Sequence, residues 1–413
     1  MHMKIEKKIA FVTPIYFPAK LSGSSIIIKE IAECLVKSDY DVSVITSNAL
    51  TGRYWYDPIF GRKVNKNFEI INNVKIYRLF SNQIISSVCF ILVRYLNFLI
   101  PQKIINKLQI VYNGPYLNGL DDILIKEKFD VIHCSPFPLN INRQVVNAIG
   151  KLKKKPKLIL TPLFHTELKE FKNLELNKML SQANTIHVVT NSEKFFLRKT
   201  FNTKDSKIVY IPLFLNLKKL ISLRKLEKQV NLFKKKYKLY NKKIVFFAGN
   251  KGYNKGVIAL LRAMEELHRE DPSYFFITVG NSMPEWTKEK NKINPKFLLD
   301  FDYVNEKTKE TIFSVCDVYC MPAISESFGL TYLEAWHKKK PVIAARMPVS
   351  EELVESINAG MLVNFNDIND LKEKIKEIFK NRNKSRNMGE SGFLALNKKY
   401  NINSFIRKFK KII

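Results

Sequence analysis

Short runs of apolar, often β-branched residues alternate along the whole chain with longer stretches in which apolar positions recur every three to four residues. The first pattern predicts strands buried on both faces, the second amphipathic helices. In the first half, strands are predicted at Lys8–Thr13, Asp41–Thr46, Val74–Leu79, Asp130–His133, Lys157–Leu160, Thr185–Val189 and Lys207–Tyr210. In the second they fall at Lys243–Ala248, Tyr274–Val279, Lys296–Leu299, Asp317–Met321, Pro341–Ala344 and Met361–Val363. Helices fill the gaps, among them Ser24–Lys37, Gly256–Arg269 and the stretch from Ile368 to Ile412. Both halves open with a strand, a glycine-containing loop and a helix, the start of a Rossmann-like unit. Neither loop reads G-x-G-x-x-G, so a dinucleotide cofactor is not indicated. The predicted class is α/β with two Rossmann-like domains: residues 1–212, a linker with a lead-in helix over 213–242, a second domain over 243–400, and a terminal segment 401–413.

One segment breaks the pattern. Ile84–Ile100 is mostly apolar, and on a helix Gln83, Ser87, Arg94 and Asn97 share a narrow polar face opposite a wide apolar one. It is short for a membrane span, and Arg94 lies near its middle, which excludes a spanning reading. A helix buried in the first domain is expected. The alternative is an interfacial helix lying on a leaflet beside Lys103 and Lys107.

Length and composition bound the rest. The chain has 413 residues, 46% of them hydrophobic, which suits two domains better than one core. Five scattered cysteines suggest neither a disulfide framework nor a zinc site. No secretory signal is read, because the apolar run after Met1–Lys8 stops at Pro14, so a cytoplasmic protein is expected, with peripheral association at the cytosolic membrane face as an extension. The formal charge of +31 points to an anionic partner or to a Lys- and Asn-rich solvated surface. No RNA- or DNA-reading module accompanies it, so a specific nucleic-acid partner is not expected.

The chemistry concentrates in Cys320–Trp336, CMPAISESFGLTYLEAW. It reads as a strand end, a loop over Pro322–Ser327, then a helix opened by Phe328 and Gly329. A helix start at the carboxyl end of a strand is where backbone N–H groups hold phosphate. Glu326 and Glu334 flank that start, and carboxylates accept hydrogen bonds from sugar hydroxyls. The pattern therefore suggests a nucleotide-sugar.

This Glu-x7-Glu, with Ser-Phe-Gly-Leu inside it and Asp-Val-Tyr-Cys-Met-Pro ahead of it, resembles the donor site of retaining GT-B glycosyltransferases, specifically glycosyltransferase family 4. The resemblance covers nearly the whole chain. It implies two domains facing across a cleft, a last helix returning to the first domain, and electrostatic catalysis without a divalent metal or other cofactor. It implies further that Glu326 holds sugar hydroxyls, Glu334 the nucleotide ribose, and the backbone near Phe328, Gly329 and Leu330 the diphosphate. The loop Gly249-Asn-Lys-Gly-Tyr-Asn-Lys-Gly256 resembles the family's Gly-Arg-x4-Lys-Gly. Lys255 and Gly256 match it, but Asn250 stands where the family has Arg, and Lys251 is the nearest replacement cation. Gly23 occupies the family's glycine loop after the first strand, and His165 in Thr-Pro-Leu-Phe-His-Thr resembles its cleft histidine beside the transferred sugar. The loop Gly52–Asn67, with Arg53, Tyr54, Trp55, Tyr56 and Arg62, is a candidate acceptor cover. Asp39-Tyr-Asp41 and Asp300-Phe-Asp302, the spacing that holds metal in the other transferase fold, are read as surface turns. The expected activity is retaining transfer of a hexose-type sugar from an NDP-sugar to a saccharide or lipid-linked saccharide in glycan or cell-envelope biosynthesis. The alternative is a non-catalytic protein of the same fold that binds sugar or nucleotide.

Overall fold

A computed structural model describes residues 7–19, 23–55, 61–221, 223–293 and 295–413. The chain divides into two compact units, Met1–Pro212 with Phe405–Ile413, and Leu213–Ser404. In the first unit, β1 (Lys8–Val12), β2 (Asp41–Ser47), β3 (Phe68–Ile71), β4 (Val74–Leu79), β5 (Val131–Cys134), β6 (Lys157–Leu160), β7 (Thr185–Val188) and β8 (Ile208–Tyr210) form one sheet in the order β3-β4-β2-β1-β5-β6-β7-β8. Every pairing is parallel except β3 with β4. The central strand β1 is buried from Ile9 to Val12, as a parallel sheet covered on both faces requires.

The strand β3 was not among the predicted elements. It is an antiparallel edge joined to β4 through Asn72 and Asn73, both at positive φ (50° and 62°), the backbone of a two-residue hairpin turn that asparagine tolerates.

The last helix, Ile402–Phe409, leads into a terminal stretch assigned to the first unit. Phe409 stacks on Phe11 of β1 at 6.4 Å and meets the rings of His133 and His187 edge-on at 5.5 and 5.9 Å.

The second unit carries β9 (Lys243–Ala248), β10 (Tyr274–Val279), β11 (Leu298–Phe301), β12 (Val318–Met321), β13 (Val342–Ala345) and β14 (Gly360–Val363), all parallel, in the order β11-β10-β9-β12-β13-β14. The strand predicted at Lys296–Leu299 begins later, because Pro295–Phe297 forms a tight turn first. Strand order reverses between β9 and β12, so the loops after these two strands flank the switch point where open α/β sheets bind ligands.

The apolar segment departs from expectation. It is a shorter helix, Gln83–Tyr95, ending at Leu96, followed by the turn Asn97–Leu99 and a second helix, Gln102–Tyr112. It is not buried: Ser86 and Cys89 face inward, while Ile84, Val88, Ile91 and Tyr95 form an outward stripe. Among the described residues, no helix is long and apolar enough to cross a membrane.

Candidate functional site

The loop after β9 runs through Gly249–Gly256 into the helix Val257–Glu270. The loop after β12 runs through Pro322–Gly329 into the helix Leu330–His337. Gly256 and Gly329 cap these two helices in the left-handed conformation, at φ +68° and +84°, and neither cap supplies a side-chain hydrogen bond. Such ends leave N–H groups free for an anion. A Cβ on Gly256 would stand 2.1 Å from the carbonyl oxygen of Pro322, so the two loops touch there. The amide of Ile324 donates to the carbonyl of Asn254 at 2.9 Å and ties the loops together.

Across this junction Lys255 Nζ donates to Glu326 Oε2 at 2.9 Å. Both side chains are partly buried. One turn into helix Leu330–His337, Glu334 pairs with Lys309 Nζ at 2.8 Å, and Lys309 also pairs with Glu306 at 2.9 Å. Burial disfavours the charge on Lys309, but the Glu334 and Glu306 carboxylates outweigh it and raise its pKa. Lys255, Glu326, Phe328, Gly329, Leu330 and Glu334 thus all lie on the two loop–helix units that follow the central strands β9 and β12.

Lys251 requires a correction. It does not serve as the replacement cation: its side chain is fully buried, with Nζ 2.5 Å from Asp300 Oδ1, 3.6 Å from Asp302 and donating to the Phe301 carbonyl at 3.2 Å. The physical reason is that the chain beyond β9 stays paired in parallel with the chain beyond β10, Lys251 with Ser282, and the side chain lies over the Trp286 ring. Nor is Asp300 a surface turn. It lies in β11 and accepts from Lys251, Lys290, Thr278 and Trp286. Burial pushes its pKa up, but these four donors prevail and hold it down at about 2. Sequence gave no signal for this hub beyond the acidic pair itself. Asn250 Oδ1 accepts a long bond from Asn281 at 3.4 Å, which leaves Lys255 as the one cation of loop 249–256 turned toward Glu326.

In the first unit, His165 follows β6 on a loop whose course is set by Phe164. That ring is buried against Phe137, Phe171, Phe196 and Phe201, and its amide donates to the buried carboxylate of Glu193 at 2.8 Å. His165 itself lies against Phe171 at 5.8 Å. Gly23 opens the helix Gly23–Val36 after β1, and residues 20–22 lie outside the described residues. In the candidate acceptor cover, Gly52–Trp55 is a helical turn with Tyr54 buried, while 56–60, including Tyr56, lie outside the described residues. No group of three or more His, Cys, Asp or Glu side chains among the described residues has the arrangement of a metal site.

The family model "Glycosyl transferases group 1" matches residues 228–394, which span both loops. An uncharacterized 41.2 kDa protein in the cps region of Klebsiella pneumoniae is 30% identical over 62% of this chain and 72% of its own. The chain belongs to the group 1 glycosyltransferases. Another relative, an uncharacterized glycosyltransferase of Methanocaldococcus jannaschii, is 24% identical over 86% of this chain and 85% of its own. The Anabaena protein HepE, solved in complex with UDP and glucose, superposes over 98% of both chains with a TM-score of 0.70 at 13% identity. At that identity the likeness speaks for the fold, the two-domain GT-B architecture of this glycosyltransferase.

Proposed function

We propose that this group 1 glycosyltransferase takes a hexose-type sugar from a nucleoside diphosphate donor and transfers it with retention, without a metal, to a saccharide or lipid-linked saccharide acceptor. One observation carries the donor reading: two glycine-capped helix starts converge on the Lys255–Glu326 pair at the switch point of the second sheet.

A diphosphate placed at the start of helix Leu330–His337 meets free N–H groups and the Lys255 ammonium. Those groups stabilise the charge that builds on the leaving group as the glycosidic bond breaks. The phosphate competes with Glu326 for Lys255 and frees the carboxylate to accept hydrogen bonds from sugar hydroxyls. Glu334, steadied by Lys309, accepts from the ribose hydroxyls. With the leaving group held on one face, the acceptor attacks from that same face through an oxocarbenium-like transition state, which gives retention. The roles proposed for His165, a hydrogen bond to the transferred sugar, and for Gly23, close backbone approach, follow from the resemblance of their motifs. HepE was solved with UDP and glucose, which makes UDP-glucose the first donor to try.

The test is a thermal-shift screen of nucleoside diphosphates and their sugars in EDTA, followed by transfer assays with the nucleotide that binds. One nucleotide is expected to raise the melting temperature, and Lys255→Ala is expected to remove that rise. Absence of any shift at millimolar nucleotide would refute the donor site, and transfer that EDTA abolishes would refute the metal-free mechanism.

A further inference from the structure

Ten of the large hydrophobic side chains that stand exposed among the described residues fall between Phe80 and Ile104. They are not scattered. On helix Gln83–Tyr95, Ile84, Val88, Ile91 and Tyr95 recur at helical spacing on the outer side, with Ile84 75% exposed. The next turn adds Phe98 and Leu99 at 77% and 69%. Scattered exposed apolar residues are ordinary, but a contiguous patch marks a contact surface. The opposite side of the helix, with Ser86 and Cys89, is the side packed on the first unit. The fold has therefore turned the more apolar face outward.

Charge decides what covers it. From Ile70 to Leu120 the chain contains no Asp or Glu, yet it carries Lys75, Arg78, Arg94, Lys103 and Lys107. Arg94, Lys103 and Lys107 are exposed and border the apolar stripe. A second copy docking through this face by two-fold symmetry would bring the same cations together. An anionic leaflet instead neutralises them while its acyl region receives Ile84, Ile91, Phe98 and Leu99.

We propose that the face formed by helix Gln83–Tyr95, the turn Asn97–Leu99 and the start of helix Gln102–Tyr112 docks on an anionic lipid surface. The surface belongs to the first unit and the donor-site residues to the second, and the proposal does not depend on the donor reading.

Full-length protein is mixed with phosphatidylglycerol-containing vesicles or with pure phosphatidylcholine vesicles and sedimented. Three cations near the headgroups give an expected preference on the order of 10- to 100-fold for the anionic vesicles. Lys103→Glu with Lys107→Glu should remove that preference. Ile84→Ser with Ile91→Ser, or Phe98→Ser with Leu99→Ser, should release the protein from both vesicles and leave nucleotide-induced thermal shifts intact, since none of these residues belongs to the donor site. A Phe98→Trp variant should shift its fluorescence to the blue on anionic vesicles. The proposal is overturned if the protein stays in the supernatant with both vesicles, if the serine variants pellet like the parent, or if sedimentation velocity shows a dimer that these variants dissolve.

Discussion

The ion pair between Lys255 and Glu326 is only partly buried, and pairs of that kind contribute little to stability. A ligand phosphate can therefore replace the carboxylate at small cost, and the two residues should respond to substitution with opposite signs. Lys255→Ala removes a charge-assisted contact worth about 1.5–3 kcal/mol, a loss of roughly 10- to 100-fold in nucleoside diphosphate affinity. Glu326→Gln frees Lys255, so the same nucleotide should bind as well or more tightly, while sugar transfer is lost. Calorimetric titration of both variants, paired with a product assay, reads the two effects separately. Equal loss of nucleotide affinity in both would mean that the pair is a structural brace. Gly256 sets the frame around it. Alanine there would hold a left-handed backbone at a cost of about 1–3 kcal/mol and would force its Cβ against the Pro322 carbonyl, 2.1 Å away. Gly256→Ala should lower both the melting temperature and the nucleotide affinity. Unchanged values would show that the two loops separate freely.

Elements explain what could be read from the chain and what could not. Each strand–loop–helix unit is a local pattern, and the apolar runs of β1, β4, β6 and β10 placed those strands to within a residue or two. The Glu-x7-Glu helix start was legible for the same reason: loop, glycine and helix follow one another in sequence. Lys251 was not, because what it faces lies 49 residues away on β11, and no local period reports that contact. The apolar face of helix Gln83–Tyr95 was legible but its exposure was not, since such a face reads alike whether it meets a core or a solvent boundary. The Lys251–Asp300 hub carries its own prediction. Asp300→Asn takes the buried carboxylate from a buried ammonium and leaves it the exposed Asp302 at 3.6 Å and the Phe301 carbonyl, a loss on the order of 3 kcal/mol, whereas Lys251→Met leaves Asp300 with three other donors and keeps contact with Trp286. Urea unfolding should rank Asp300→Asn as the more damaging. The double variant should recover part of that loss, because the buried ammonium is then gone. Additive losses would mean that the two residues act separately.

For the whole molecule, the terminal segment packs its Phe405 and Phe409 rings against a buried hydrogen-bond chain of the first sheet, whose proton count can be worked out. His187 Nε2 lies 2.7 Å from the Ile211 carbonyl and must donate to it, so its Nδ1 is the acceptor for the Thr161 hydroxyl at 2.9 Å. The hydroxyl oxygen then accepts from His133 Nε2 at 2.7 Å, and His133 Nδ1 is left without a partner. Both imidazoles are neutral and enclosed by Phe11, Phe405 and Phe409. Burial is the leading cause that lowers them, to about 3 for His133 and about 4 for His187, and His337 moves the same way to about 4. In the unfolded chain these groups titrate near their ordinary value of 6.5. Their folded pKa values are the lower ones, so the unfolded chain takes up protons first as the pH falls. Stability is complete above about pH 6.5 and drains away toward pH 4, by about 1.4 kcal/mol per pH unit for each fully buried histidine. The lowered carboxylate Asp300 adds its loss only further down, below its ordinary 3.8. Urea midpoints measured from about pH 7.5 down to about pH 5 should therefore fall steeply, and His187→Gln should flatten the slope by one proton even though it lowers stability throughout. A midpoint that holds constant over that range would mean that the two rings titrate alike in the folded and the unfolded chain, and that burial does not keep them neutral.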